Sequence, residues 1–440
     1  MSRFLSLSLA LFTMFSTVSG LFVRPGGNVA KDNDDFVPIL RFAVASDIHT
    51  EFLGGRQNRR LAKMIKSAYA AARSHETYKD LDGLLLAGDV TDRGYKFQYL
   101  AFQSVLNANI LDETSPMVIL AKSHDCSTMK KDALDFYEEL SGLTTDFHKI
   151  IKGFHFIGIS TTHDRDTDDK YSQAQLQWLD NELAAAVADA PDKPIFVSHH
   201  EHVLNTVYGS REDLGERWGT PEFYDILAKY PQVVDFSGHS HYPLNDPRSI
   251  WQGDFTALGT STLYYYEFTV DDVKTYHPKN NKKASQYWLV EVDAANRVRL
   301  RGYDLIGEAF VCEYIIEKPA DKNTFAYTPE KMQASSSPPA FEAGAKAKVK
   351  NIAGSVSLDI PAAKSTDDKI IFLYRVFVFD ENENQVGNYW ELSGYYFTPP
   401  PSKVTVNIGK LPKGNYTYEV YAENAYGMRS LPLTGSFGIK

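Results

Sequence analysis

The sequence predicts an α/β domain, a two-sheet sandwich flanked by helices, followed by a smaller all-β sandwich. Three observations predict it. Short apolar runs alternate with amphipathic helical stretches over residues 39–241, the pattern of strands and helices layered on one core. Several of those runs break off at a carboxylate or an imidazole, as in Leu84-Leu85-Leu86-Ala87-Gly88-Asp89. Beyond residue 345 the helical period disappears and only short β runs with turn residues remain.

In chain order, a polar lead-in (21–38) precedes a first strand at 39–46. Residues 59–73 form a helix with Leu61, Met64, Ile65, Ala68 and Ala72 on one stripe. The Leu84 run is a buried parallel strand, since it has no room for polar side chains. A helix at 97–106, a strand at 117–121, a helix at 132–140 and a strand at 155–160 follow. Ser172 and Gln175 open a long helix, and 194–198 is a strand leading into His199-His200-Glu201-His202. A helix at 221–227 leads to the strand that ends at Gly238-His239-Ser240-His241. Strands at 263–270, 287–292 and 298–305 complete the first domain, 39–316. Pro and Ser residues mark 317–345 as a linker, which predicts that the β domain at 346–440 is separable.

With 440 residues, 43% hydrophobic, the chain can bury two cores. Its net charge of −10 argues against broad binding to a nucleic-acid polymer, while leaving room for a small anionic substrate at a local cationic site. Arg3, the apolar run at 4–18 and the small residues at 18–20 predict a signal peptide (1–20) and a secreted mature chain without a transmembrane segment. An uncleaved anchor is the alternative. Asn415-Tyr416-Thr417 is a glycosylation acceptor if the host glycosylates. Two cysteines, Cys126 and Cys312, exclude a disulfide framework and leave pairing or two buried thiols open.

Asp47-Ile48-His49 and His239-Ser240-His241 share a spacing that, in extended backbone, turns both side chains to one side. Of twelve histidines only five lie outside the strand-end stretches, so they are not scattered surface residues. Mixed imidazole and carboxylate donors suit Fe, Mn or Zn better than Ca or Mg. Asp89, with two oxygens, is the natural bridge between two ions.

Taken together, Asp47-x-His49, Gly88-Asp89, Ser123-His124-Asp125, Ser198-His199-His200 and Gly238-His239-x-His241 resemble the calcineurin-like metallophosphoesterase superfamily over residues 39–310. The resemblance implies a metal-dependent phosphoric ester hydrolase, a phosphodiesterase or phosphomonoesterase of a small phosphorylated substrate, attacking with a metal-bound hydroxide. By position, one ion would take Asp47, His49, Asp89 and His241. The second would take Asp89, His199, His239 and Ser123. His124 would stabilise charge or protonate the leaving oxygen, with Asp92 orienting it and Arg93 touching phosphate. His200 and His202 are expected to be wall residues or helix-start contacts rather than ligands.

The third motif departs from the family. Lys122-Ser123 stands where the family has Gly-Asn, so a shorter, weaker hydroxyl replaces an amide oxygen, and the second ion is expected to be held loosely or through water. The rival expectation is a non-catalytic surface protein retaining one structural ion. Tyr264-Tyr265-Tyr266 is expected in a strand, without functional role, and 206–210 with Trp218 is expected to be either a substrate-side loop or a packed surface loop. In the C-terminal domain, Leu411, Gly414 and Tyr416 resemble the tyrosine-corner region of fibronectin type III, which implies a spacer or a surface or glycan contact.

Overall fold

The computed structural model describes residues 35–130, 132–161, 171–214, 216, 219–271, 273–283, 285–367 and 369–440. The signal-peptide run, His163 and Trp218 lie outside them.

Two six-stranded mixed sheets face each other. The first runs Ala309–Ile316, Val298–Asp304, Gln286–Asp293, Pro38–Ala45, Gly83–Ala87, Ser115–Ile119, with the last three parallel. The second runs Ile250–Gln252, Thr256–Gly259, Val233–Ser237, Ile195–Ser198, Phe154–Gly158, Phe147–Ile151, with four parallel strands in its middle. Phe42, Phe156, Phe196, Phe236 and Trp288 fill the space between the sheets. Helices cover the outer faces: Arg56–Ser74 and Lys96–Asn109 pack on the first, Gln173–Asp189 on the second. The stripe Leu61, Met64, Ile65, Ala68, Ala72 is buried as its period requires. Ser172 caps the long helix and accepts from the Gln175 backbone N–H. Cys126 and Cys312 are buried free thiols.

Seven antiparallel strands make the C-terminal sandwich, three in one sheet and four in the other. The Tyr416 hydroxyl donates to the Pro412 carbonyl at 2.9 Å. The connecting segment is not slack. Phe325 is buried, the Tyr327 N–H donates to Gln252 and its hydroxyl to Ile315, and Thr328 caps a helix at Pro329–Ala334. The two domains share an aromatic core in which Tyr208, Tyr242, Tyr266 and Phe268 meet Phe372, Tyr395 and Tyr396. Arg375 holds Asp271 through two hydrogen bonds at 2.8 and 2.9 Å, and Tyr395 reaches Asp246 at 2.8 Å. Against the separability that the linker composition predicts, this contact is broad and apolar. The cause lies in residues far from the linker, whose aromatic side chains looked like ordinary strand interiors.

Candidate metal centre

Three of the parallel strands end in sharp turns that meet at one edge of the sandwich. The Pro38–Ala45 strand stops before Asp47, Gly83–Ala87 before Asp89, and Val233–Ser237 before His239. Asp47, His49, Asp89, His239 and His241 all have positive φ, at 52°, 51°, 51°, 71° and 60°. The extended Asp-x-His and His-x-His pairs expected from spacing are therefore not extended. Left-handed residues break the strands and fold the donors back over the sheet edge. Non-glycine residues in this region carry strain of about 1–3 kcal/mol each, which persists only where the surroundings over-determine it. The backbones of the turns hold one another: Asp47 N–H donates to Gly88 O at 3.1 Å and His49 N–H to Asp89 O at 2.9 Å.

Three donor groups are close enough to hold a cation: Asp47, His49 and His241; Asp89, His200 and His239; and His49, Asp89 and His124 between them. Asp89 belongs to both of the latter two, at the centre. His241 Nε2 lies 2.9 Å from Asp47 Oδ1 and 3.2 Å from His49 Nε2. His200 Nε2 lies 3.3 Å from Asp89 Oδ2, and His124 Nε2 is 3.9 Å from the same oxygen.

The second group differs from the sequence expectation: His200, not His199, faces Asp89. His199 Nε2 lies 3.0 Å from Asp235 with both side chains fully buried, and its ring packs on Phe223 at 4.3 Å. Alternation along the strand explains the exchange. Phe196 faces the other sheet, so Ser198 and His200 follow it there, while Ile195, Val197 and His199 face the helices. Gly88 completes the fit, because a Cβ on it would lie 2.5 Å from the His200 ring. His202, expected as a wall, is buried and hydrogen-bonded to Ser237 at 2.8 Å and Ser240 at 2.7 Å, tying down the turn that carries His239 and His241.

Ser123 Oγ donates to Asp89 Oδ1 at 3.0 Å, so its hydroxyl lies beside the second group. His124 is oriented through its Nδ1, 2.6 Å from the Asp92 backbone carbonyl, not through the Asp92 carboxylate. That carboxylate lies 3.5 Å from Arg93, whose side chain is 71% exposed at the rim. The buried Asp125 carboxylate accepts from the Ala121 and Thr91 N–H groups and fixes this loop to the Asp89 turn. Tyr264 and Tyr265 fall before the Phe268–Val270 strand rather than in it, and both rings lie against His49. The Tyr265 carbonyl is 2.9 Å from His241 Nδ1.

The donor set fits a cation by its proton inventory. In His200 and His241 the Nδ1–H donates to a backbone carbonyl, Ala87 at 2.8 Å and Tyr265. The Nε2 lone pair of each neutral ring then points at a carboxylate oxygen, acceptor against acceptor. Asp47 Oδ1 and His200 Nε2 have no well-aligned hydrogen bond and are shut off from water. A positive charge within each pair, His241 with Asp47 and His200 with Asp89, relieves this opposition. Without a metal it is a proton: burial alone would lower His200, but Asp89 raises it to about 10. Burial would raise Asp89, and His200 more than reverses that. Burial pushes His49 down to about 3 and His239 to about 4, so both stay neutral ligands.

A mixed sandwich whose strand ends carry carboxylate and imidazole donors around one shared aspartate defines a class, the metal-dependent phosphoesterases. Residues 40–243 match the calcineurin-like phosphoesterase family. The family implies a binuclear metal centre, and the three donor groups are where this chain would hold it. No curated protein matches the sequence. Among solved structures the chain is similar to PhoD, with 12% identity and a TM-score of 0.42 over 66% of this chain and 71% of that one. It is also similar to the purple acid phosphatase PPD1 from yellow lupin (Lupinus luteus) seeds, with 12% identity and a TM-score of 0.43 over 63% of this chain. The chain spans 53% of the lupin protein's length.

Proposed function

We propose that the protein is an exported hydrolase of small-molecule phosphomonoesters or phosphodiesters. The observation that carries it is the convergence of Asp47, His49, His241, His200 and His239 around Asp89 beneath a partly open His124. Two cations held there would supply a nucleophilic water at neutral pH and Lewis acidity at phosphorus. The chain's own residues do the rest. Asp89 sets the spacing of the two donor groups. His124, with Nδ1 tied to a carbonyl, presents Nε2 to give a proton to the leaving oxygen. Arg93, at the rim and 71% exposed beside Asp92, would turn toward a phosphate.

Asp89→Asn keeps the shape and removes the shared charge. Hydrolysis of an aryl phosphate diester is expected to fall by orders of magnitude, and bound metal with it. Wild-type turnover in the folded variant would reject the site. The second reading, a metal-binding surface protein without turnover, draws only on Ser123, whose hydroxyl is spent on Asp89. Metal-reconstituted wild-type protein that hydrolyses no phosphoester would establish it instead. The export part rests on the apolar run at 4–18 and the small residues after it. Mass spectrometry of the mature chain should find a new N-terminus near Gly20, and an intact Met1 would remove that part.

A further inference from the structure

Among the described residues, most large apolar side chains left exposed are isolated, but Phe52, Leu53, Tyr95, Phe97 and Leu100 come from two short segments. Those segments meet. Thr50 bridges Thr91, and the Asp92 N–H donates to the Thr50 carbonyl at 3.1 Å. Asn58 donates to the Ala101 carbonyl at 3.0 Å, so the helices Arg56–Ser74 and Lys96–Asn109 lie side by side within their first two turns. Phe52 is two residues beyond the Thr50 bridge and Tyr95 four beyond Thr91, within about 7 and 14 Å of it by chain reach. The bridge adjoins His49 on one strand and follows Asp89 on the other. The exposed side chains therefore follow directly on the turns that carry His49 and Asp89, and by chain reach form a rim beside them.

The rim is apolar where the fold does not require it. The helix Lys96–Asn109 buries Tyr99, Phe102 and Leu106 in the core, yet Phe97 and Leu100, one turn apart, are 54% and 52% exposed on its other side. Tyr95 stacks on Phe97 with centroids 5.4 Å apart. Phe52 and Leu53 are 56% and 66% exposed. The same segments expose Arg56, Arg59, Arg93 and Lys96. Their two acids are engaged, Glu51 with the Tyr264 hydroxyl at 3.1 Å and Asp92 with Arg93. On a chain of net charge −10, this is a local reversal of sign.

We propose that this rim docks the protein on an anionic lipid bilayer, bringing the metal cleft against phosphoesters of the headgroup layer. Aromatic and leucine side chains suit the interfacial zone of a bilayer, and arginine and lysine among them meet anionic headgroups. The docking stands on the rim alone, and the substrate class rests on the phosphoesterase reading above.

The test is sedimentation of the full chain with vesicles of phosphatidylglycerol and phosphatidylcholine, against phosphatidylcholine alone. Binding is expected to favour the anionic vesicles and weaken with salt. Phe52→Ser, Leu53→Ser and Phe97→Ser together should lower it at least tenfold, and Arg56→Gln with Lys96→Gln should erase the preference for phosphatidylglycerol. Turnover of a soluble aryl phosphate ester should be unchanged in both variants, which also reports that they fold. Wild-type protein that does not sediment with anionic vesicles overturns the proposal and leaves a protein partner to account for the rim. Undiminished sedimentation of the triple variant also overturns it. Vesicle binding without any turnover supports docking while rejecting the phosphoesterase reading.

Discussion

Two kinds of residue work against the stability of this fold. The first are the left-handed donors, whose backbone strain the paired turns around Gly88 and Thr50 hold in place. The second is Glu216, buried at the seam between the domains with one oxygen accepting from the Gly209 and Arg211 N–H groups and the other without a partner. Burial pushes it up to about 7 from an ordinary 4.5. Below pH 4.5 the carboxyl is protonated in both folded and unfolded chains and has no effect. Between 4.5 and 7 the unfolded chain ionises while the folded one keeps its proton, so stability falls as pH rises. Above 7 the loss is complete, at most about 3 kcal/mol. Glu216→Gln keeps both accepted hydrogen bonds and cannot ionise. Its stability relative to wild type, followed by urea unfolding, should therefore increase between pH 4.5 and pH 8, and a constant difference would show that water reaches the native carboxylate.

For the strands, the decisive property is alternation. His199 and His200 are adjacent and chemically identical, and only the facing of Ile195–Ser198 separates a buried neighbour of Asp235 from a candidate ligand. The sequence made the strand and its histidine-rich end legible, but a fully apolar run has no polar face to mark which side meets the other sheet. The substitutions that follow should have opposite signatures. In metal-free protein, His199→Ala removes a fully buried ring packed on Phe223 and beside Asp235, and should cost about 2–5 kcal/mol of stability. Once folded, that variant should bind its full metal complement. His200→Ala should change the unfolding midpoint less and lose one equivalent of metal. Equal metal loss in both, measured on folded protein, would mean the strand end is mobile enough to exchange the two rings.

Across the whole molecule, the C-terminal sandwich is built into the first domain. Tyr396 packs on Tyr266 at 5.5 Å and on Phe268 at 4.9 Å. The residue just before them, Tyr265, supplies the carbonyl that orients His241. A chain ending near Lys318 would expose that aromatic face and loosen the carbonyl. It is expected to aggregate or, if kept soluble, to lose metal to a chelator faster than the full chain. Retention of metal at the full-length rate by a soluble truncation would show that the Tyr265 turn holds its shape unaided.

The sequence by itself determined the layer architecture and the switch to an all-β domain, because both are written as hydrophobic periods of a few residues. It also determined which strand ends carry carboxylate and imidazole side chains, since Asp47, His49, Asp89, His239 and His241 stand just after apolar runs. Tertiary structure alone decided the rest. Which of two neighbouring histidines turns inward depends on a second sheet. That a backbone carbonyl and not the Asp92 carboxylate orients His124 depends on how two loops lie together. That Tyr264 and Tyr265 flank the donors, and that a distant β domain braces them, depends on contacts between residues more than a hundred positions apart. Local patterns record the period and polarity of an element. Facing, tautomer and long-range packing are set by partners the local chain does not contain.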